Sequence, residues 1–131
     1  MAKPVQVGAQ GHAEERVKFE NTLTAHHHQL PPVYSTPDLV RLMETAGFHA
    51  LHPFCEEGEM SVGVAINIEH RAPSGLNAVL RAEAVVEKVE GRFITLKVTV
   101  HDGQTEVGRG TVTRAIIVVS KFLEKWGIPQ P

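Results

Sequence analysis

A chain of 131 residues, 42% hydrophobic but only 5% aromatic, is long enough for one real core, and that core has to be aliphatic. A net charge of −2 gives no general attraction to nucleic acid or to an anionic membrane. The lone Cys55 excludes an internal disulfide framework, and no stretch approaches the roughly 18 apolar residues of a membrane span.

The first fifteen residues, MAKPVQVGAQGHAEE, lack the apolar core of a secretory signal. With the single cysteine, this leads to the expectation of a cytoplasmic protein. Without repeat or linker, residues 1–131 read as one domain, with residues 1–12 loosely held. VKFENTLT (17–24) alternates like a strand, and AHHHQLPP after it is a loop by composition. Ser35 or Thr36 can then cap a helix, with Pro37 in its first turn and Pro53 marking the stop near His52.

Beyond Pro53 the period falls to two. In residues 60–70, Met60, Val62, Val64, Ile66, Ile68 and His70 are expected on one face. Residues 76–86 repeat the pattern with Leu76, Ala78, Leu80, Ala82, Ala84 and Val86. Residues 91–103 do so with Ile94, Leu96, Val98 and Val100, between Glu-Gly and Asp-Gly turn signals. Residues 105–120 form the last long strand, where Gly108 and Gly110 suggest a bend or bulge.

Apolar sheet faces must be buried against something, and one long helix is the only partner the chain supplies. The expected fold is α+β, a curved antiparallel sheet wrapped around one central helix. An all-strand barrel leaves residues 36–52 without a role. An open sheet also leaves edges, which dimerisation commonly covers.

At 100° per residue, Asp38, Arg41, Thr45, His49 and His52 fall into one polar stripe of the helix. Glu44 falls between Leu51 and Phe48, well off that stripe. Pairing with Arg41 would make it an ordinary solvated boundary residue. Facing a cleft, it would be a base, nucleophile or orienter. His70 raises the same question, since it ends an aliphatic strand face on the helix side. A packed structural histidine is the plainer reading of it.

The stretches VYSTPDLVRLMETA, GEMSVGVAINIEHRAPS and VEGRFITLKVTVHDGQTEVGRGTVTRAII, in that order and spacing, resemble the hotdog-fold acyl-CoA thioesterases, and within them the fluoroacetyl-CoA thioesterase family. The resemblance covers about residues 17–123. It implies a hotdog fold and hydrolysis of a small acyl-CoA without a cofactor. It also places the family's catalytic threonine, glutamate and histidine on Thr36, Glu44 and His70. The glycine that helps bind the thioester oxygen falls on Gly63, and the arginine of the last strand on Arg114. The family's lid phenylalanines are replaced here by His27 and Leu30, so the resemblance implies thioester hydrolysis and leaves open whether the acyl group is fluoroacetyl or another small one.

A base near neutral pKa, a hydroxyl and a carboxylate suit thioester hydrolysis. On a straight helix, Thr36 and Glu44 are about 12 Å apart along the axis. One imidazole reaches roughly 7 Å between two hydrogen-bond partners. Either Thr36 folds back ahead of the helix, or the site joins two subunits; the second is the expectation. The partners expected are thus an acyl-CoA and further copies of the chain, as a homodimer or a higher oligomer, with no nucleic acid and no membrane.

His26, His27 and His28 invite a metal reading, but neighbours in an extended segment point apart, so no metal site is expected. Arg71, Arg81, Lys88, Arg92 and Arg109 are available to the CoA phosphates, and no motif selects among them. A non-catalytic hotdog module that binds an acyl thioester or another small apolar ligand is the alternative to the enzyme. A hydratase of similar fold is a weaker third reading, because its Asp/His arrangement is not evident.

Overall fold

The computed structural model describes residues 3–130. Strand β1 (Gln10–Arg16) leads through a 3-10 turn and the short helix α1 (Leu23–His26) to the long helix α2 (Thr36–Leu51). Strands β2 (Glu59–His70), β3 (Val79–Glu90), β4 (Phe93–Asp102) and β5 (Thr105–Val118) follow, and helix α3 (Val119–Lys125) comes last. All strand pairs are antiparallel, in the order β1-β3-β4-β5-β2. The sheet curls around α2, which touches every strand.

Helix α2 starts where the sequence says it should. Ser35 is the cap, accepting a hydrogen bond from the Asp38 amide, while Thr36 and Pro37 occupy the first two helical positions. Its Leu39, Leu42, Met43, Ala46 and Ala50 are buried against Leu80, Ala82, Ala84 and Val86 of β3 and Ile94, Leu96, Val98 and Val100 of β4. Those two strands keep the alternation expected of them, because their whole inner face is covered. Leu76 is the exception: it precedes β3 and is exposed, beside Asn77 at positive φ.

Two expectations are corrected at the start of the chain. The first strand lies at Gln10–Arg16, not at 17–24. Residues 18–22 turn instead, with Asn21 Oδ1 accepting from the Lys18 amide and the Thr22 hydroxyl donating to the Phe19 carbonyl. The expected looseness of residues 1–12 is also not what residues 3–12 show. The Lys3 amide donates to the Phe54 carbonyl, the Gly8 amide donates to the Val86 carbonyl, and β1 pairs with β3 from Gln10 onward. Residues 1 and 2 lie outside the described residues.

Bulges explain the other departures. Between Gly63 and Ala65 the register of β2 on β5 slips, leaving Val64 as an extra residue. Directly opposed residues point to the same side of a sheet. Ser61 and Gly63 therefore share the inner face with Ile116 and Arg114, and beyond the bulge Ile66, Ile68 and His70 take it over. The single apolar face expected from Met60 to His70 is two half-faces, with Met60 and Val62 on the outer side. The anticipated irregularity in β5 is present too, where Val107 is the extra residue beside Gly108.

Candidate active site

The mouth of α2 is fixed from beneath. Tyr34 is buried, its amide donates to the Ser74 carbonyl, and its hydroxyl lies 2.6 Å from Glu15 Oε2 and 3.0 Å from the Asp38 carbonyl. Burial, and then the neighbouring Glu15, raise the Tyr34 pKa, so the phenol stays a donor. Thr36, one step inside the helix, is held by this frame.

His70 reaches Thr36 from the end of β2. It pairs across the sheet with Gly108, where a Cβ would stand 2.8 Å from Leu39 Cδ2 and 3.2 Å from Met43 Cε. The absent side chain lets the strands close on the first turns of α2. Thr36 Oγ1 and His70 Nδ1 are then 2.8 Å apart, in a hydrogen bond. Burial lowers the pKa of His70 below its usual 6.5, partly opposed by the Ala72 backbone. Its Nε2 is enclosed, with no well-formed hydrogen bond among the described residues.

Glu44, two turns along α2, belongs to a different cluster. Its Oε1 is 2.9 Å from Arg114 Nη1, an ion pair whose alignment falls short of a hydrogen bond. Arg114 is only 7% exposed and donates from Nε to Ser61 Oγ (2.9 Å) and from Nη2 to the Ser61 carbonyl (2.8 Å). Its guanidinium lies 5.9 Å from the centre of the Phe48 ring. Two glycines make the room. A Cβ at Gly47 would be 3.3 Å from Arg114 Cδ, and one at Gly63 would be 2.1 Å from Glu44 Oε2. The carboxylate therefore rests directly on the Gly63 backbone.

The solvated alternative for Glu44 required Arg41, but Arg41 is committed to Glu15 and Asp38. Arg114, on which the family's last-strand arginine falls, has its donors engaged by Glu44 and Ser61. His27 and Leu30 lie between α1 and α2. The His27 ring stacks on His28 with centroids 5.1 Å apart, its Nδ1 accepts from the Gln29 amide, and Leu30 is 42% exposed. Neither has a recorded bond to Thr36, Glu44 or His70. Among the described residues no group of three His, Cys, Asp or Glu side chains is arranged to hold a metal. Sequence reasoning missed Ser61, Gly47 and Gly108. Strict alternation put Ser61 on the outer face, and only the bulge brings it inside.

A curled antiparallel sheet wrapped around one central helix is the hotdog arrangement of the thioesterase superfamily. The comparisons narrow this further. The sequence model of the fluoroacetyl-CoA-specific thioesterase family, FlK, matches residues 17–120. The fluoroacetyl-CoA thioesterase of Streptantibioticus cattleyicolor is 42% identical over 99 residues, which are 74% of this chain and 70% of that protein. A crystal structure of the fluoroacetyl-CoA thioesterase FlK superposes with a TM-score of 0.87 at 32% identity, covering 98% of this chain and all of that one (100%). A thioesterase superfamily member from Thermus thermophilus gives a TM-score of 0.87 at 28% identity, covering 94% of this chain and 91% of its own. The chain belongs to the fluoroacetyl-CoA-specific thioesterase family.

Proposed function

We propose that this protein hydrolyses a small acyl-CoA to the free acid and CoA, as a homodimer whose active sites draw on both subunits. The observation that carries the reading is the 2.8 Å hydrogen bond between Thr36 Oγ1 and His70 Nδ1. A hydroxyl within reach of an imidazole kept neutral by burial is an activated nucleophile.

In this scheme Thr36 Oγ1 donates its proton to His70 Nδ1 as it attacks the thioester carbonyl. The new C–O bond forms, the C–S bond breaks, and the imidazolium returns the proton to the departing CoA thiolate. Water then hydrolyses the acyl-threonine, restoring the hydroxyl. Glu44 is assigned to activating that water, with Arg114 and Ser61 as its positioning residues. The amides at the α2 N-terminus and the backbone N–H of Gly63, which carries no side chain, are assigned to the developing oxyanion.

Thr36 sits within a continuous helix rather than folding back ahead of it, so Glu44 is too far along the axis for one imidazole to bridge both. That supports a site in which Thr36 and His70 of one subunit face Glu44 of the other. The acyl group is assigned as small from the family match, and the panel below decides which one.

The test is release of free thiol over a panel of short acyl-CoA thioesters. Wild type is expected to turn over at least one of them. His70→Ala and Thr36→Ala should lose roughly 100-fold or more in kcat. Arg114→Gln should lower kcat with little change in KM. No turnover on any member of the panel would leave a non-catalytic thioester-binding module as the reading.

A further inference from the structure

Glu15 points the wrong way for a charged residue. It pairs across the sheet with Leu80, which is fully buried, and so shares the inner face of β1 with Gly11 and Ala13, turned toward α2. An aliphatic side chain there would complete the core. The carboxylate is instead held on both oxygens. Its Oε2 accepts from the Tyr34 hydroxyl at 2.6 Å, and Arg41 Nη2 stands 2.6 Å from each of Oε1 and Oε2.

The other ends of these contacts meet around Thr36. Arg41 also reaches Asp38 Oδ1 at 3.2 Å, an oxygen that accepts from Asn21 Nδ2 as well. Asp38 Oδ2 accepts from the Ser35 hydroxyl at 2.5 Å. Burial works against the Asp38 carboxylate, but Ser35, Arg41 and Asn21 outweigh it and keep its pKa below the usual value. Residues 34, 35 and 38 are thereby fixed on either side of Thr36, whose Oγ1 is left to bond His70.

Tyr34 is the joint of this frame. Its hydroxyl ties β1 to α2, through Glu15 and the Asp38 carbonyl. Its amide donates to the carbonyl of Ser74, four residues beyond His70 on the segment that leaves β2. The helix that carries the hydroxyl and the segment that follows the base are thus registered on one side chain, which is 1% exposed. Apolar packing at this place would let the pieces slide, whereas hydrogen bonds are directional and do not.

We propose that Tyr34 and Glu15 are positioning residues for the Thr36–His70 pair, with Arg41 and Asp38 completing the frame that holds the hydroxyl within reach of Nδ1. Both act through Thr36 rather than on the substrate. The proposal rests on the thioesterase reading for what the pair does, but not for how the pair is held. A reacting group displaced by about 1 Å loses on the order of 100-fold in rate, so a partial loosening should cost about tenfold.

The experiment compares the full-length wild type with Tyr34→Phe, Glu15→Ala, Glu15→Gln and the double variant Tyr34→Phe/Glu15→Ala, on the acyl-CoA that the wild type hydrolyses best. Glu14→Gln is the control, since Glu14 lies on the outer face of the same strand in an exposed pair with Arg81. Tyr34→Phe and Glu15→Ala should each lower kcat about tenfold at nearly unchanged KM. The double variant should be no worse than the poorer single one, because the two residues act as a unit. Glu15→Gln keeps an acceptor for the phenol and should recover most of the loss, and Glu14→Gln should match wild type. Urea unfolding midpoints are measured alongside. The nitrogen NMR resonance of His70 Nδ1 reports its hydrogen bond without turnover, and in Tyr34→Phe it should move toward its position in Thr36→Ala.

A moved resonance in a protein whose wild type hydrolyses no thioester would uphold the frame and overturn the catalytic reading. Turnover by wild type, with kcat and resonance unchanged in Tyr34→Phe and Glu15→Ala, would overturn the frame and leave the catalytic reading standing. Losses that add in the double variant, or that follow the urea midpoint with the resonance unmoved, would make the network a stability feature alone and likewise overturn the proposal.

Discussion

His70 is half-buried at the end of an edge strand, and that position sets how its activity should respond to pH. Burial disfavours the imidazolium, so the folded-state pKa lies below the usual 6.5. The working base is the neutral form, so the acid limb of kcat/KM should have its midpoint below 6.5. A pH profile of kcat/KM on any accepted acyl-CoA measures this, and a midpoint above 6.5 contradicts it. The sign for stability runs the same way: the folded chain binds this proton less readily than the unfolded one. The contribution is complete above about 6.5 and is lost as the pH falls through the folded pKa. Glu44 was legible as an oddity on its helix, because periodicity alone sets it off the polar stripe. Its partner was not, since nothing local in the sequence says that Arg114 crosses the cleft to reach it.

At the scale of elements, β3 and β4 were readable because each is covered along its inner face and keeps its alternation over most of its length, and β5 because its two glycines marked the bulge in advance. Strand β1 was not. Its inward positions include Gly11 and Ala13 rather than branched residues, since α2 passes so close that larger side chains do not fit. A Cβ at Gly11 would stand 2.2 Å from the Ala50 amide nitrogen and 2.3 Å from the Ala46 carbonyl oxygen. These are backbone atoms of a buried helix and have no freedom to yield. Gly11→Val should therefore destabilise the fold by about 3 kcal/mol, read as a lower midpoint in urea unfolding. A midpoint equal to wild type would mean that β1 is not seated against α2 as described. The same closeness leaves residues 10–16 without the branched apolar alternation by which a strand is read.

For the whole molecule, the sheet has two open edges of different character. Edge β1 carries Glu14, Glu15 and Arg16, charges that discourage pairing, while β2 exposes Met60, Val64 and Ile66. The proposed homodimer is therefore assigned to the β2 edge, the strand that also carries Gly63 and His70. If each site is shared, inactive Thr36→Ala and Glu44→Ala chains should complement when mixed. One site of the heterodimer then holds both substitutions and the other holds neither, so activity should return toward half of wild type. Purified heterodimer as inactive as its parents would place all three residues of each site in one chain. The architecture was legible because one apolar helix and a set of half-apolar strands leave few ways to bury both. The separation of Thr36 and Glu44 was legible from helix geometry alone.

The bulge at Val64 makes β2 a strand written in two reading frames. Ahead of it the odd positions face the helix, and after it the even ones do, which is how Gly63 and His70 both reach the inner side. What must be preserved at position 64 is a count rather than a chemistry. The side chain is 53% exposed, and loss of the residue would restore simple alternation and turn half of the cleft outward. A single-codon deletion there would disassemble the site while leaving every functional residue in the sequence.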